Sequence, residues 1–392
     1  MTAAGSVIVA ARRTPIGAFG GRLKTLAAPV MGAAVIGQVI VDAGIDSAEI
    51  DEVLMGCVLS AGVGQAPARI AAIQSGLPVG VPCTTINKVC GSGMKTIMLG
   101  DDLINAGASL VLAGGMESMS NAPYLLTKAR AGYRMGHQEV LDHIFFDGLQ
   151  NSSDGNMMGH FAETTAAHYG FTRQMQDAFA RTSVQRALTA IQSGALEAEI
   201  VPLSIQDGTE TCEIDQDELP FKCDIEKIPR LRPAFHKDGT ITAASSSSIA
   251  DGAAALLLMS PREADRRGLE PIARIVGHAS HAQEPQWFTT APIEAIRKLL
   301  QRVGWRLDDV DLFEINEAFA CVTMAVIKDL DLQPEKVNVN GGACAFGHPI
   351  GATGSRIMVT MLYAMKQRRL RRGIASLCIG GGEATAIAVE CL

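Results

Sequence analysis

An α/β fold is the class that this 392-residue sequence predicts, and three observations lead to it. Alanine-rich helical segments alternate with strands rich in valine and isoleucine, which is the pattern of α/β proteins. The chain holds 40 glycines while aromatic residues make up only 5% of it, which predicts many tight turns and close backbone packing. One helix-and-strand unit also occurs twice. The length and the 47% hydrophobic content suffice for two or three domains with a large core.

The repeated unit is visible in two pairs of segments. Residues 28–54 and 291–314 both begin Ala-Pro, continue as a helix of apolar periodicity and break at a glycine. Residues 90–118 and 351–384 each predict a turn, a helix, a strand and a glycine cluster, in that order. The offset between the copies grows along this second pair. That growth predicts a longer helix–strand loop in the second copy.

The centre of the chain matches neither copy. Residues 119–249 are richer in Gly, Asn, Ser and acidic residues, with a predicted helix over 177–194. We interpret them as a long excursion, after which the strand-like residues 251–259 return to the first copy. The predicted domains are a first half (1–118 with 250–270), a loop domain that binds a ligand and makes oligomer contacts (119–249), and a second half (271–392).

The composition argues against two classes of partner. The net charge is −7, the pI is about 5.7, and no long basic run is interleaved with aromatic residues. We therefore expect no nucleic-acid binding. The densest basic segment, residues 366–373, is interpreted as the solvated end of a helix, where cations suit the helix dipole. Because no apolar run reaches the roughly 18 residues that a membrane helix needs, no membrane association is expected.

Cysteine usage and the first residues predict the compartment. The nine cysteines show no disulfide-like spacing and include no Cys-x-x-Cys pair. A reducing, cytoplasmic setting is therefore expected, and a cysteine-based zinc site is not. Residues 1–17 lack the charged and long apolar regions of a signal peptide, and we interpret them as containing a first strand.

Cys90 lies in the stretch NKVCGSGMK, between a strand predicted before it and a helix predicted after it. Amide donors and the positive dipole end at such a turn favour thiolate over thiol. Gly91 and Gly93 are expected to leave room for a substrate. A nucleophile is the favoured interpretation, and a buried cysteine that acts only as a small hydrophobe is the alternative.

His348 lies in GGACAFGHPIGATGSR, residues 341–356. Because Pro349 disfavours helical geometry at the residue before it, the histidine is expected in an extended loop, and the surrounding glycines permit close backbone approach. His348 could take a proton from Cys90 and later donate a hydrogen bond to a carbonyl oxygen. A purely structural or exposed histidine is the alternative.

Cys378 ends an apolar strand just before three glycines, Gly380–Gly382. The plain interpretation is a core cysteine beside a hairpin. The functional interpretation is a second thiol that moves a proton, with glycine amides nearby to hold an oxyanion.

Four motifs together resemble the thiolase family over essentially the whole chain. They are NKVCGSGMK, INEAFA (315–320), GHPIGATGSR (347–356) and CIGGG (378–382). The resemblance implies two similar βαβαβαββ halves stacked as a five-layer αβαβα sandwich. It also implies a loop domain inserted in the first half.

The resemblance implies a role for each matching position. Cys90 attacks a thioester and holds the acyl group, while His348 activates Cys90 and helps bind the thioester oxygen of the second substrate. Asn316 fixes a water in that same oxyanion hole. Cys378 removes the α-proton of the second acyl-CoA. The amides of Cys90 and Gly380 form the other oxyanion hole.

Coenzyme A is expected on residues 231–253, which resemble the pantetheine-binding stretch of the family. Within it, Ser247 matches the serine that contacts pantetheine, and Phe235 matches its apolar neighbour. Met158 is expected to line the acyl pocket, and Phe319 of INEAFA is a further substrate-contact candidate. A plain polar loop is the alternative for the serines.

A net acidic chain that binds a polyanion needs local cations. Lys222 is the first candidate for the phosphates, with Lys227 and Arg230 beside it. Ordinary solvated surface charge is the alternative. The resemblance implies no cofactor, because coenzyme A thioesters are substrates, and no metal.

The expected activity is that of the acetoacetyl-CoA type of thiolase, which joins two acetyl-CoA into acetoacetyl-CoA and CoA or runs the reverse cleavage. A degradative 3-ketoacyl-CoA thiolase of broader chain length is the alternative, because Met157 stands where short-chain members often carry histidine. A non-catalytic acyl-CoA carrier or a β-ketoacyl synthase is disfavoured, because Cys378 occupies the position of the second base. A homotetramer, a dimer of dimers, is expected, with residues 119–145 in its contacts.

Overall fold

The structure is a computed structural model that describes residues 5–392. Its strands are β1 (Val7–Arg13), β2 (Gly17–Ala18), β3 (Glu52–Gly56), β4 (Cys83–Ile86), β5 (Leu110–Ser118), β6 (Tyr124–Leu125), β7 (Leu141–Asp142), β8 (Leu203–Asp207), β9 (Glu210–Ile214), β10 (Ala250–Met259), β11 (Ala273–Ala282), β12 (Leu312–Ile315), β13 (Arg372–Ile379) and β14 (Glu383–Cys391). Its α-helices are α1 (Ala28–Ala43), α2 (Pro67–Gln74), α3 (Ser92–Asn105), α4 (Met158–Tyr169), α5 (Arg173–Gln192), α6 (Leu219–Lys222), α7 (Pro261–Arg267), α8 (Ala291–Val303), α9 (Ala320–Asp329), α10 (Ala343–Phe346) and α11 (Thr353–Arg368).

The main sheet has the strand order β12-β13-β14-β11-β1-β10-β5-β3-β4, with β2 paired to β10. In the first copy β1, β10 and β5 are antiparallel, while β5, β3 and β4 are parallel. The second copy repeats this pattern, because β11, β14 and β13 are antiparallel and β13 and β12 are parallel. A single bridge between Phe313 and Val337 stands where β4 would recur. The repeat predicted from the sequence is therefore a repeat of topology.

Within residues 5–392, the two half-sheets meet through two residue pairs of β1 and β11, Val7 with Arg274 and Ile8 with Ala273. Helices α3 and α11 pack on strands of both half-sheets, and their apolar side chains share one buried cluster with those strands. Helices α1 and α2 cover the outer face of the first half-sheet, and α8 and α9 cover that of the second. The layers are thus helix, sheet, helix, sheet, helix.

The prediction of a longer helix–strand loop in the second copy is wrong. The connection between α11 and β13 is residues 369–371, whereas that between α3 and β5 is residues 106–109. The extra length lies in the helix, since α11 has 16 residues and α3 has 14. The glycine clusters are not equivalent either. Gly114 lies inside β5, whereas Gly380–Gly382 follow the end of β13.

The sequence suggested that Gly93 leaves room for a substrate, but the structure shows that Gly93 packs against the other copy. A Cβ at Gly93 would lie 2.9 Å from the backbone nitrogen of Ser355 and 3.0 Å from the carbonyl oxygen of Gly351. Its counterpart Gly354 faces the backbone of Met94 just as closely. Gly91 likewise faces the side chain of Ile379. Gly93 and Gly354 allow the first turns of α3 and α11 to approach each other, which a side chain would prevent.

The chain between β5 and β10, from Met119 to Ile249, contains α4, α5, α6 and two small hairpins, and β10 returns between β1 and β5. Arg13, which is 2% exposed, fastens this segment to β1. Its Nε is 2.5 Å from Glu199, and its Nη1 and Nη2 are 2.7 and 2.9 Å from the two carboxylate oxygens of Asp217. Burial alone would lower the pKa of the guanidinium, but Asp217 and Glu199 outweigh burial and raise it.

We expect Arg13→Met to lower the free energy of unfolding by roughly 3–5 kcal/mol, because it leaves two buried carboxyl groups without their cation. Urea denaturation measures the change. The matched control is Arg306→Met, because Arg306 pairs with Asp308 at a site where its side chain is 79% exposed. That variant should stay within about 0.5 kcal/mol of the parent. A loss below about 1 kcal/mol for Arg13→Met would contradict the anchoring role.

The turn between β13 and β14 supplies a second test. Gly381 and Gly382 both have positive φ angles, 92° and 94°. A Cβ on Gly381 would meet no atom within 4 Å, whereas one on Gly382 would collide with the carbonyl oxygen of Gln283. Gly381→Ala should cost about 1–2 kcal/mol of unfolding free energy from backbone strain alone. Gly382→Ala should cost at least about 1 kcal/mol more, from overpacking. Equal losses in urea denaturation would refute the collision.

Candidate active site

A largely apolar cavity of about 250 Å³ opens between the two copies and the inserted segment. It brings together seven of the ten positions predicted from the sequence. They are Cys90, Met158, Phe235, Ser247, Phe319, His348 and Gly380. The sequence did not identify four further large apolar wall residues, which are Phe145, Leu149, Ile249 and Phe288, and it named Met157 only as a difference from short-chain members. They are ordinary apolar residues by type, and only the fold directs them into one cavity.

Cys90 lies in the short turn between β4 and α3, and it is half-buried. The preceding residue, Val89, has φ of 46°. This left-handed conformation is unfavourable for a β-branched residue, and such strain often marks a functional turn. The backbone N–H of Gly380 lowers the pKa of the Cys90 thiol, and both residues line the cavity. The turn thus presents the thiol to the cavity beside an amide donor from the second copy.

The prediction that this turn favours thiolate is wrong for the resting site. Burial raises the pKa of Cys90 to about 11, although the N–H groups of Gly380 and of Cys90 itself lower it. The Glu117 carboxylate raises it further. Helix-end donors are outweighed because the thiol has lost most of its contact with water. Cys90 is therefore a neutral thiol near pH 7, and it needs a base to become a nucleophile.

His348 offers such a base. Its backbone N–H donates to the carbonyl oxygen of Ser248, and its Nδ1 is 2.6 Å from the hydroxyl oxygen of Thr353. Its Nε2 is buried without a hydrogen-bond partner among residues 5–392. Burial lowers the pKa of the imidazole to about 3, with the charge of Arg356 acting in the same direction. The ring is thus neutral and has one free nitrogen in a cavity shared with Cys90.

Cys378 is fully buried near the end of β13. Burial raises its pKa well above the ordinary value for a thiol, and the charges that Cys90 and Cys321 would carry as thiolates raise it further. Cys378 is not among the residues that line the cavity, so the plain interpretation, a core cysteine beside a hairpin, describes its burial correctly.

Asn316 follows β12 and is 1% exposed. Neither its side-chain oxygen nor its side-chain nitrogen has a hydrogen-bond partner within the described chain. A buried side-chain amide without hydrogen bonds is rare unless a water or a ligand supplies them. The next residue, Glu317, holds the segment in place, because its carboxylate accepts from Ser183 Oγ at 2.7 Å and from Cys344 N at 3.0 Å.

Glu117, which the sequence analysis missed, fastens two loops of the site. Its buried carboxyl group accepts backbone N–H bonds from Val58 at 3.0 Å, Leu59 at 3.1 Å and Gly351 at 2.8 Å. Gly351 belongs to the loop of His348. Burial raises the pKa of Glu117 to about 7 against the effect of these donors. No local pattern marks this residue, which sits in an apolar strand.

Of the predicted coenzyme A contacts, Phe235, Ser247 and Phe319 line the cavity and Lys222 does not. Phe235 and Phe319 pack edge to face with ring centroids 5.9 Å apart. The Ser247 hydroxyl donates to the carbonyl oxygen of Ala318 at 3.0 Å. Lys222 lies at the end of α6, where its Nζ is 2.6 Å from Glu218, and it does not line the cavity. Its contact with phosphates stays a prediction.

Two observations concern metal ions and membranes. Within residues 5–392, one group of three side chains could present metal ligands, namely Asp101, Asp102 and His278. The His278 Nε2 lies 3.6 Å from Asp101 and 3.3 Å from Asp102, and the group contains no cysteine. No helix of the described chain has the length and apolar character needed to cross a membrane.

Comparisons with solved structures match this architecture. The crystal structure of the Bacillus anthracis acetyl-CoA acetyltransferase superposes with a TM-score of 0.97 at 42% identity and covers 99% of each chain. The structure of a thiolase from Ascaris suum in complex with coenzyme A has a TM-score of 0.93 at 41% identity. It covers 99% of this chain and 100% of that one.

Sequence comparisons agree over nearly the full length. The acetyl-CoA acetyltransferase of Pseudomonas aeruginosa is 48% identical over 384 residues, which are 97% of this chain and 98% of the relative. The family model "Thiolase, N-terminal domain" matches residues 6–262, and "Thiolase, C-terminal domain" matches residues 269–391. The resemblance drawn from the four motifs is confirmed, and the chain belongs to the thiolase family.

Proposed function

We propose that this enzyme is an acetyl-CoA C-acetyltransferase. It joins two acetyl-CoA into acetoacetyl-CoA and CoA, and it catalyses the reverse cleavage, through an acyl group held on Cys90. The observation that carries the proposal is the shared cavity of Cys90, His348 and Gly380, in which the imidazole keeps one nitrogen unpaired. The relatives named acetyl-CoA acetyltransferase support the same activity.

The first half-reaction transfers an acetyl group to the enzyme. Nε2 of His348 takes the thiol proton of Cys90, and the sulfur attacks the thioester carbonyl. The N–H groups of Cys90 and Gly380 hold the oxyanion that forms. The bond between the carbonyl carbon and the CoA sulfur then breaks, and Cys378 gives its proton to the departing CoA thiolate. The site now holds an acetyl group, an imidazolium and the thiolate of Cys378, so its net charge is unchanged.

The second half-reaction makes the carbon–carbon bond. The Cys378 thiolate takes an α-proton from the second acetyl-CoA, and the enolate oxygen accepts a hydrogen bond from Nε2–H of His348 and from a water held by Asn316. The enolate carbon attacks the acetyl group, the bond to the Cys90 sulfur breaks, and that sulfur regains its proton from His348. All three groups return to their neutral resting forms.

The cavity suits the pantetheine and acyl parts of a thioester. Its apolar wall includes Phe235, Phe319 and Met158, and Ser247 lies at its edge as a polar contact. The coenzyme A complex of the Ascaris suum relative supports coenzyme A as the ligand. Lys222 is proposed as a phosphate contact, because α6 lies against the loop of His348, where a Cβ on Gly347 would meet Leu219.

Separate loss of the two thiols tests their roles. Cys90→Ala should abolish labelling of the enzyme by radioactive acetyl-CoA, because no acceptor remains. Cys378→Ala should still take up label but fail to form acetoacetyl-CoA, because the α-proton is not removed. The matched control is Cys321→Ala, another buried cysteine outside the cavity lining, which should label and turn over. Equal labelling of the parent and Cys90→Ala would refute the assignment.

Chain length separates the proposed activity from its rival, a broader 3-ketoacyl-CoA thiolase. The reason to test that rival is Met157, which lines the cavity and stands where short-chain members often carry histidine. The measurement is CoA-dependent cleavage of 3-ketoacyl-CoAs of increasing length. Activity confined to acetoacetyl-CoA is expected. Comparable rates on longer chains would assign the broader activity, and no cleavage of any would revive a carrier role.

The proposal extends to cofactors, oligomeric state and compartment. We infer that the enzyme needs no cofactor and no metal, so dialysis against a chelator should leave turnover intact. We infer a homotetramer, since large apolar side chains such as Tyr124, Leu126 and Met135 are exposed on residues 119–145. We infer a cytoplasmic location from the cysteines, which show no disulfide-like spacing. Sedimentation analysis would distinguish it from a dimer, and cell fractionation would test the compartment.

A further inference from the structure

The hydroxyl group of Thr353 lies between the imidazole of His348 and a backbone carbonyl group. Thr353 is the first residue of α11 and is fully buried. Its Oγ1 is 2.6 Å from His348 Nδ1 and 3.0 Å from the carbonyl oxygen of Pro349. In the part of the chain that the structure describes, this hydroxyl is the one hydrogen-bond partner of the His348 ring.

The positions of the protons follow from these two contacts. The carbonyl oxygen of Pro349 can only accept, and it receives the backbone N–H groups of Ala352 and Thr353 as well as the Thr353 hydroxyl. We assign the single hydroxyl proton of Thr353 to this contact. The hydroxyl oxygen then accepts from Nδ1–H of His348. In the other tautomer, which carries the ring proton on Nε2, the hydroxyl would donate to Nδ1. The hydroxyl oxygen of Thr353 and the carbonyl oxygen of Pro349, 3.0 Å apart, would then face each other with no proton between them. Nε2–H would also be a buried donor without a partner.

We propose that Thr353 is a positioning residue that fixes the tautomer of His348, so that Nε2 is the basic nitrogen. This inference rests on the proposed function of His348 as the base for Cys90. A single nitrogen then serves both half-reactions, because Nε2 first takes the thiol proton and afterwards presents it to the enolate oxygen. Without Thr353 the neutral ring could carry its proton on Nε2, and it could no longer accept from Cys90.

The charged and titratable groups around this pair do not replace the hydroxyl. Arg356, on the same helix, lowers the pKa of the imidazole. Glu117, on β5, and Cys378, on β13, interact with Cys90. None of them hydrogen-bonds to Nδ1 within residues 5–392.

The test compares Thr353→Val, which keeps the shape and removes the hydroxyl, with Thr353→Ser, which keeps the hydroxyl. The matched control is Thr360→Val, because Thr360 is a buried threonine of the same helix whose hydroxyl donates to Glu199 at 3.1 Å. The kcat/KM for cleavage of acetoacetyl-CoA is measured from pH 6 to pH 10, and thermal unfolding checks that each variant is folded.

Thr353→Val should lose at least about 10-fold in kcat/KM at pH 7, as mutations of groups that orient a histidine commonly do. Thr353→Ser should keep at least about a third of the parent activity. The pH dependence should change as well. The parent profile should be flat, since His348 titrates near a pKa of about 3 and Cys90 near a pKa of about 11. The valine variant should rise about tenfold per pH unit, because only pre-formed thiolate reacts.

Thr353→Val with the activity and flat profile of Thr360→Val would overturn the inference. An independent measurement needs no variant of Thr353. The nitrogen-15 chemical shifts of labelled histidine distinguish the two tautomers in the parent enzyme. The His348 signals are assigned by their loss in His348→Asn. Nδ1–H on His348 is expected, and Nε2–H would overturn the inference. If His348→Asn itself kept full activity, the proposed role of His348 would fail instead, and the two failures are distinguishable.

Discussion

The close approach of α3 and α11 is the constraint on which the site depends. Gly93 and Gly354, at equivalent positions of the two copies, leave no room for a Cβ on either helix. Because each helix begins directly after a reactive loop, this contact brings the loop of Cys90 to the loop of His348. Glu117 then ties the backbone of Gly351 to the first copy at 2.8 Å. The duplication thus supplies two similar halves, and their glycine contact makes one site of them.

Burial determines the electrostatics of the site. It raises the pKa of both thiols and lowers that of the imidazole, so all three groups are neutral at rest. In the proposed reaction, charge separates only when the thioester reacts, as an imidazolium on His348 and a thiolate on Cys378.

The sequence predicted the fold, the repeat and seven residues of the cavity, because motifs and glycine-flanked turns are local features. It did not predict Thr353 and Glu117, whose partners are remote or ambiguous in sequence and become evident only from tertiary contacts. The error over Cys90 has the same origin. A helix start is visible in the sequence, but the desolvation that outweighs it comes from surroundings that only the folded chain provides. The role of Gly93 was also missed, because its neighbour Ser355 lies in the other copy.

The dependence of the site on both copies has a consequence during synthesis. Cys90 leaves the ribosome long before His348 and Cys378, and the strand β10 that completes the first half-sheet follows the whole inserted segment. Domains fold largely in the order of synthesis, and contacts between distant residues form late. Until α11 docks against α3, the nascent chain therefore carries a thiol without its base. The site is complete only after the last hairpin, β13 and β14, is made.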